Sequence, residues 1–199
     1  MHQSKKSDVL NGINLTLGKK EILGLTGSNG SGKSTLLRII SGLIEKDKGE
    51  IYFESYSSQN VALISSNERS FYWRLTTYQN LLFFGSIYNL SKKEIDFKLV
   101  ELIEILDIED ILGKPIMLLS SGQRKKVMLA RACLKSPKLI LCDEFSSNLD
   151  EVSQSNVKTF LKNYIEEKKA SIIWVSHSKE EINNFCHDSV KLVEGVISH

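Results

Sequence analysis

A glycine-rich run between a short apolar segment and a helical one constrains the fold more than any other feature. Residues 21–26 are typical of a buried strand and residues 33–43 of a helix, and the run that joins them has the pattern G-x-x-x-x-G-K-[ST]. Glycines let the backbone curl so that its amides point at phosphate oxygens, while Lys33 offers a positive charge and Ser34 an oxygen for Mg²⁺. The run therefore predicts a site for nucleotide phosphates. Its predicted binding residues are Gly27, Ser28, Asn29, Gly30, Ser31, Gly32, Lys33, Ser34 and Thr35.

Apolar runs of strand length alternate with longer helical patterns along the rest of the chain, which is typical of a layered α/β domain. Further strands are predicted at residues 50–54, 61–64, 138–142, 171–176 and 190–194. Helical patterns cover residues 76–107, 124–134 and 151–168, and a short helix is expected after residue 178. Ser91, Asp150 and Ser178 are the predicted N-caps, and Ser91 and Ser178 each have a glutamate three residues later, as in a capping box.

Composition excludes several classes of protein. The 199 residues carry a net charge of +2, so nothing demands nucleic acid or an anionic membrane as a partner. No apolar run approaches the roughly 20 residues needed to cross a bilayer, and the polar N-terminus lacks the apolar centre of a signal peptide. Three scattered cysteines without metal-ligand spacing are expected to be reduced, mostly buried thiols, namely Cys133, Cys142 and Cys186. The chain is expected to be neither secreted nor membrane-spanning by itself.

Two carboxylates end the strand predicted at 138–142. An aspartate at such a position, here Asp143, can hold Mg²⁺ through water opposite the loop serine Ser34. The next residue, Glu144, is then placed to orient or deprotonate an attacking water. Two exposed carboxylates at a strand end are the alternative, but the phosphate loop upstream favours the functional interpretation.

Taken together, these motifs resemble the nucleotide-binding domain of ABC transporters, from about residue 9 to residue 197. Leu-Ser-Ser-Gly-Gln at 119–123 is similar to the family signature usually written LSGGQ, and residues 147–150 resemble the D-loop. His177, after a predicted strand, resembles the switch histidine that contacts the γ-phosphate. The signature residues that the resemblance assigns to nucleotide binding are Ser120, Ser121, Gly122 and Gln123.

The resemblance implies a P-loop NTPase fold with a mixed, mainly parallel core sheet flanked by helices, a small antiparallel β part and a helical insert. It implies one ABC-type domain over residues 1–199, with a helical subdomain at about 75–135 inserted in the catalytic core. The expected activity is Mg²⁺-dependent ATP hydrolysis coupled to transport through a separately encoded membrane permease subunit. Two such domains, identical or different, would form a head-to-tail dimer on the cytoplasmic face of the membrane, with each ATP between one phosphate loop and the other domain's signature.

Four departures from the family pattern bear on the site. Ser66 stands near the position of the Q-loop glutamine, which would contact Mg²⁺, and its shorter side chain would need a bridging water. Ser121 replaces a signature glycine and requires a negative φ. Phe145 stands where proline is usual. Residues 1–8 lack the aromatic residue on which adenine stacks, so loose base selectivity is expected.

A run of three aromatic residues, at 71–73, follows the Q-loop position, where the family receives its membrane subunit. All three cannot point inward, so one or two are expected at the surface, either as a partner site or as loop packing over the helical insert. The stretch looks more like that of exporter subunits than that of importer subunits. Two alternatives stay open: a soluble ABC ATPase acting on DNA or ribosomes, and a regulatory half of a heterodimer that hydrolyses ATP weakly.

Overall fold

Six strands form one sheet in the described part of the chain. The computed structural model of the protein describes residues 9–54, 56–65, 71–147 and 149–198. The strands are β1 Ile22–Thr26, β2 Val61–Ile64, β3 Leu139–Asp143, β4 Ser171–Val175, β5 Asp188–Val193 and β6 Val196–Ser198. Their order is β2-β3-β4-β1-β5-β6, parallel throughout except for the antiparallel pair β5–β6. The predicted α/β fold with a mixed, mainly parallel sheet is confirmed.

Helices cover both faces of this sheet. They are α1 Lys33–Ile40, α2 Thr77–Ile87, α3 Lys92–Leu106, α4 Ser121–Leu134, α5 Glu151–Lys168 and α6 Lys179–Phe185. The predicted N-caps are confirmed, because Ser91, Asp150 and Ser178 each accept a hydrogen bond from the third residue of the following helix. Of the two predicted capping boxes, the reciprocal bond forms at Ser91 and not at Ser178, where the carboxylate of Glu181 is used elsewhere.

Some predicted elements differ from the structure. Residues 50–54 do not form a strand, and none of the described strands pairs with them. Only one side of this segment packs against the protein. Tyr52 is 84% exposed, whereas the ring of Phe53 packs on Tyr56. The segment 76–107, predicted to be helical with an N-cap at Ser91, is two helices, because the chain turns at Asn89 with a φ of 60° before Ser91 caps α3. Helix α1 ends at Ile40, three residues earlier than predicted.

Alternating strand residues build two cores on opposite faces of the sheet. Along β3, Leu139 and Leu141 face α1, whereas Ile140 and Cys142 face the larger core under α2 to α6. Strands β1, β3 and β4 are thus buried on both faces, as their continuous apolar runs in the sequence require. Cys133 and Cys142 are buried and Cys186 is half-buried, all as free thiols, as predicted.

The topology brings three loops to one edge of the sheet. Strands β3, β4 and β1 are neighbours and run parallel, so their carboxyl ends lie side by side. The phosphate loop follows β1, the carboxylates end β3, and His177 follows β4. In open α/β sheets, ligands bind at this edge.

Candidate functional site

A cleft of about 400 Å³ opens at the carboxyl edge of the sheet. It brings most of the predicted phosphate loop together with Glu144, which belongs to a different strand end. The residues that line it are Val9, Asn29, Gly30, Gly32, Lys33, Ser34, Thr35 and Glu144. The strand–loop–helix unit and the acidic strand end therefore form one site.

Glycine is required at two points of the phosphate loop. Gly27 has a φ of 148°, and a side chain there would overlap the carbonyl oxygen of Leu192. Gly32 has a φ of 107°, and a Cβ atom there would lie 2.7 Å from a methyl carbon of Leu10. Both values lie where side chains with L chirality are strained, so the curl of the loop depends on these glycines.

Lys33 begins α1 with its ammonium inside the loop. The side chain is buried, and Nζ donates to the carbonyls of Gly27 at 2.8 Å and Ser28 at 3.0 Å. The positive end of the α1 dipole lies beside this ammonium, and both favour an anion in the cleft. The hydroxyl of the neighbouring Ser31 is also buried, with no hydrogen-bond partner among the described residues.

Glu144 and His177 meet at the cleft. Nε2 of His177 lies 2.7 Å from Oε1 of Glu144, and both side chains are nearly half exposed, at 48% and 41% respectively. Glu144 has a left-handed backbone with a φ of 53°, and its amide donates to the carbonyl of Val175 in β4 at 3.2 Å. The main chain therefore sets the orientation of Glu144, the residue expected from sequence to act on water. Its carboxylate contacts His177, the residue expected to contact the γ-phosphate.

The residues available for Mg²⁺ are oxygen donors at the same edge. Ser34 lines the cleft, and Asp143 is the buried last residue of β3, directly before Glu144. A serine hydroxyl and one carboxylate, together with phosphate oxygens, are the kind of donor set that Mg²⁺ takes in nucleotide sites. Ser66 and residues 1–8 lie outside the described residues.

The signature residues form the start of α4. Ser120 is the N-cap, its hydroxyl accepts the amide of Gln123 at 3.1 Å, and the Gln123 side chain accepts the amide of Ser120 at 3.0 Å. Ser121 is the first helical residue, so its backbone has the negative φ that its side chain requires. Ser120 to Gln123 thus present a capped helix N-terminus, which is a suitable anion site.

Comparison with known proteins decides the family. The model of the ABC transporter family matches residues 10–147. The chain belongs to this family. It is 31% identical to the ABC transporter ATP-binding protein NatA of Bacillus subtilis, over 98% of this chain and 83% of NatA. It is 33% identical to the probable iron export ATP-binding protein FetA of Escherichia coli, over 88% of this chain and 81% of FetA. Among solved structures, cbiO1 of Clostridium perfringens, part of the ABC transporter complex cbiONQ, superposes with a TM-score of 0.83 at 25% identity, covering 100% of this chain and 84% of cbiO1.

The resemblance inferred from the motifs is therefore confirmed. The protein is an ABC transporter ATP-binding subunit, and membership of this family implies that it binds and hydrolyses ATP. Among the described residues, no helix is both long and apolar enough to cross a bilayer.

Sequence reasoning missed two polar residues that support the site of this ABC subunit. Lys125 is buried in α4 and contacts the loop after Glu144. Glu181 accepts hydrogen bonds from Ser146 at 2.8 Å and Ser176 at 2.5 Å, and pairs with Lys158 at 2.9 Å. It joins the loop after β3 to the loop that carries His177. Lys125 could have been noticed from the sequence, because it interrupts an otherwise apolar helical face.

Proposed function

We propose that this subunit hydrolyses ATP with Mg²⁺ in a head-to-tail dimer and drives a membrane permease on the cytoplasmic face of the membrane. The observation that carries the proposal is the contact of His177 with Glu144, a carboxylate that lines the cleft together with the phosphate loop. A phosphate loop alone would serve any nucleotide-binding protein. A paired carboxylate and imidazole at its open end is what hydrolysis of the terminal phosphate needs.

In this proposal each residue of the candidate site has a role. The amides of residues 27–33 and the Lys33 ammonium bind the phosphates, with Lys33 exchanging its present carbonyl partners for phosphate oxygens. Ser34 and Asp143 hold Mg²⁺, which when bound neutralises charge on the phosphates. Glu144 orients the attacking water and takes its proton, and His177 fixes the carboxylate and contacts the γ-phosphate.

The second copy supplies the other half of each site. The N-terminus of α4, with Ser120 and the amide of Gly122, would close on the γ-phosphate held by the partner's loop. Ser121 and Gln123 support this contact by forming and capping the first turn of the helix. The helical segment at about 75–135 is proposed to be the lobe that presents this surface.

Glu144→Gln tests catalysis most directly. The substitution keeps the size and the hydrogen bonding of the side chain and removes its basicity, so ATP binding should persist while hydrolysis falls on the order of 10²-fold or more. Glu180→Gln, an exposed carboxylate in the first turn of α6, is the matched control. A Glu144→Gln protein that still hydrolyses ATP at the parent rate would exclude the assigned role. An unmodified chain that binds ATP and never hydrolyses it would favour the regulatory alternative.

Lys33→Ala tests the phosphate loop separately. A charged hydrogen bond contributes about 1.5–3 kcal/mol, so ATP affinity should fall by roughly tenfold or more. Equilibrium binding of a fluorescent ATP analogue measures this without relying on turnover. Unchanged affinity would contradict the binding role of the loop lysine.

An aromatic surface is the proposed docking site for the permease. It consists of Tyr72, Trp73 and Phe83, which are 50%, 40% and 39% exposed, whereas the neighbouring Phe71 is buried. The rings of Tyr72 and Phe83 meet edge to face at 4.6 Å, so the surface is ordered rather than a set of isolated side chains. Surface aromatics of this kind are enriched at protein interfaces. As predicted from sequence, one of the three consecutive aromatics lies inward and two lie outward.

Alanine substitutions on the aromatic surface test this docking. Tyr72→Ala together with Phe83→Ala should leave basal ATPase intact and abolish co-purification with a multi-span membrane protein co-expressed as the candidate permease. Phe97→Ala is the matched control, because Phe97 is 82% exposed on α3 and does not belong to the aromatic surface. Equal recovery of the membrane protein with all variants would argue against the docking site.

A further inference from the structure

The ammonium of Lys125 lies buried between α4 and the loop that follows β3. The residue is 4% exposed, in the second turn of the helix that begins at the signature. Its Nζ donates to the main-chain carbonyl of Glu144 at 3.2 Å, to the hydroxyl of Ser147 at 2.7 Å and to the Ser147 carbonyl. A buried ammonium requires such oxygen partners, and its charge strengthens each bond. Lys125 therefore ties the helix firmly to this loop.

These contacts complete the support of the Glu144 backbone. On one side its amide donates to Val175 of β4, and on the other its carbonyl accepts from both Lys125 and the hydroxyl of Ser147, the latter at 2.7 Å. The left-handed conformation of Glu144, with φ at 53°, is one that side chains with L chirality rarely adopt. Such a conformation persists only where its surroundings fix it. It also sets the direction in which the carboxylate leaves the main chain, toward His177.

We propose that Lys125 is a positioning residue for hydrolysis, which holds the main chain of Glu144 so that its carboxylate faces the reacting water. The proposal rests on the proposed function, in which Glu144 is the group that acts on water. Lys125 touches no nucleotide in this arrangement. It acts through Glu144, within the same protomer.

A loss of activity on replacing Lys125 has one competing explanation, which involves the start of the same helix, α4. Four residues before Lys125, Ser121 begins the turn that would close on the partner's ATP. Loss of Lys125 could therefore act on the partner's site by displacing the signature. The two explanations differ in which of the two sites of a dimer loses activity.

Steady-state kinetics of Lys125→Met provide the first test. Displacing a catalytic group by about 1 Å can cost on the order of 10²-fold in rate, so kcat should fall about 10- to 100-fold while KM and ATP affinity change less than about twofold. Lys125→Gln keeps an N–H donor without the charge and should recover part of kcat. Lys126→Met is the matched control, because it removes the same charge from the next residue, whose partner is Asp107.

Three kinetic results would overturn the proposal. These are an unchanged kcat in Lys125→Met, an equal loss in Lys126→Met, and an effect on KM alone. Thermal unfolding of each variant separates lost rate from lost folded protein.

Mixed dimers show whether Lys125 acts on the site of its own protomer or on that of its partner. One protomer carries Glu144→Gln, so only the site holding the other protomer's Glu144 can turn over. Lys125→Met added to the Glu144→Gln chain should change nothing further, whereas Lys125→Met on the other chain should remove the remaining activity. The reverse pattern would show that Lys125 acts through the signature and would overturn the proposal.

Hydrogen exchange keeps the test separate from the proposed function. In Lys125→Met the amides of residues 144–147 should exchange faster, while those of residues 27–34 keep the parent rates. Unaltered exchange at 144–147 would overturn the positioning role even if the chain is an active ATPase. Conversely, full hydrolysis by Glu144→Gln would remove the proposed catalytic role of Glu144 itself, whatever the exchange shows.

Discussion

The imidazole of His177 and the carboxylate of Glu144 are in direct contact, with Nε2 2.7 Å from Oε1, although the residues follow different strands. Because both side chains are nearly half exposed, an ion pair between them contributes only about 0–1 kcal/mol to stability. The contact is therefore better explained by the task of holding the carboxylate than by a need of the fold.

His177→Ala should consequently lower turnover without unfolding the protein. A positioned acid or base contributes about 10²- to 10⁴-fold, and losing the partner of Glu144 should cost toward the lower end of that range in kcat. ATPase kinetics and thermal unfolding measure the two effects. His187→Ala is the opposite case, because Nδ1 of His187 accepts the amide of Ile22 at 2.9 Å. It should cost about 1 kcal/mol of stability and leave kcat of the folded protein unchanged. Full activity in His177→Ala would contradict the assignment.

Phe145 should prove essential for stability. It is 2% exposed, and its ring meets Trp174 edge to face with centroids 6.1 Å apart, in the core beneath the site. Phe145→Ala should lower the free energy of unfolding by about 3–5 kcal/mol, because it leaves a cavity beside the indole. Phe145→Leu refills part of that volume and should cost clearly less. Denaturant unfolding of both variants is the measurement, and equal costs would show that ring packing is not the cause.

Arg131 should resist replacement by lysine. Its guanidinium lies between two rings, 4.8 Å from the centroid of Phe71 and 4.6 Å from that of Phe84. A planar guanidinium stacks on rings in a way that an ammonium cannot, and a desolvated cation–π contact contributes about 2 kcal/mol. Arg131→Lys should therefore lower the free energy of unfolding by about 1–2 kcal/mol although the charge is kept. Arg38→Lys, at an exposed position in the last turn of α1, is the control and should change the free energy of unfolding far less.

Glu181 should make stability depend on acid pH. Burial raises the pKa of its carboxyl. Hydrogen bonds from Ser176, Lys158 and Ser146 lower the pKa, and together they outweigh burial, so the folded pKa lies below the ordinary value. A group of this sign stabilises the fold above its unfolded pKa, about 4.3, and the contribution is lost as pH falls through the folded pKa. The difference in free energy of unfolding between the parent and Glu181→Gln should be largest near neutral pH and shrink below about pH 4. A difference that stays constant with pH would indicate packing rather than charge.

The elements that carry the candidate site follow from local patterns in the sequence. The phosphate loop, the strand ending in Asp143 and Glu144, and the helix after Asp150 each follow from residues close in sequence. The signature also carries an unnoticed local signal, because Ser120 and Gln123 have the spacing of a capping box.

The features that sequence reasoning missed depend on distant partners. Alternation at 50–54 indicates a surface strand, yet a strand also needs a neighbour with free backbone groups, which a pattern does not reveal. Strand β6, only three residues long, is defined by its pairing with β5 rather than by its own sequence. The contacts of Lys125 and Glu181 join different elements for the same reason, so no periodicity predicts them.

The left-handed backbone of Glu144 has a consequence for how such a chain evolves. Glycine or asparagine fits that conformation more easily, so replacing Glu144 should relieve about 1 kcal/mol of strain and leave the fold more stable. A chain selected for folding alone would gain by exchanging this glutamate. The proposed role of Glu144 in turnover and the stability of the fold therefore make opposite demands on this position.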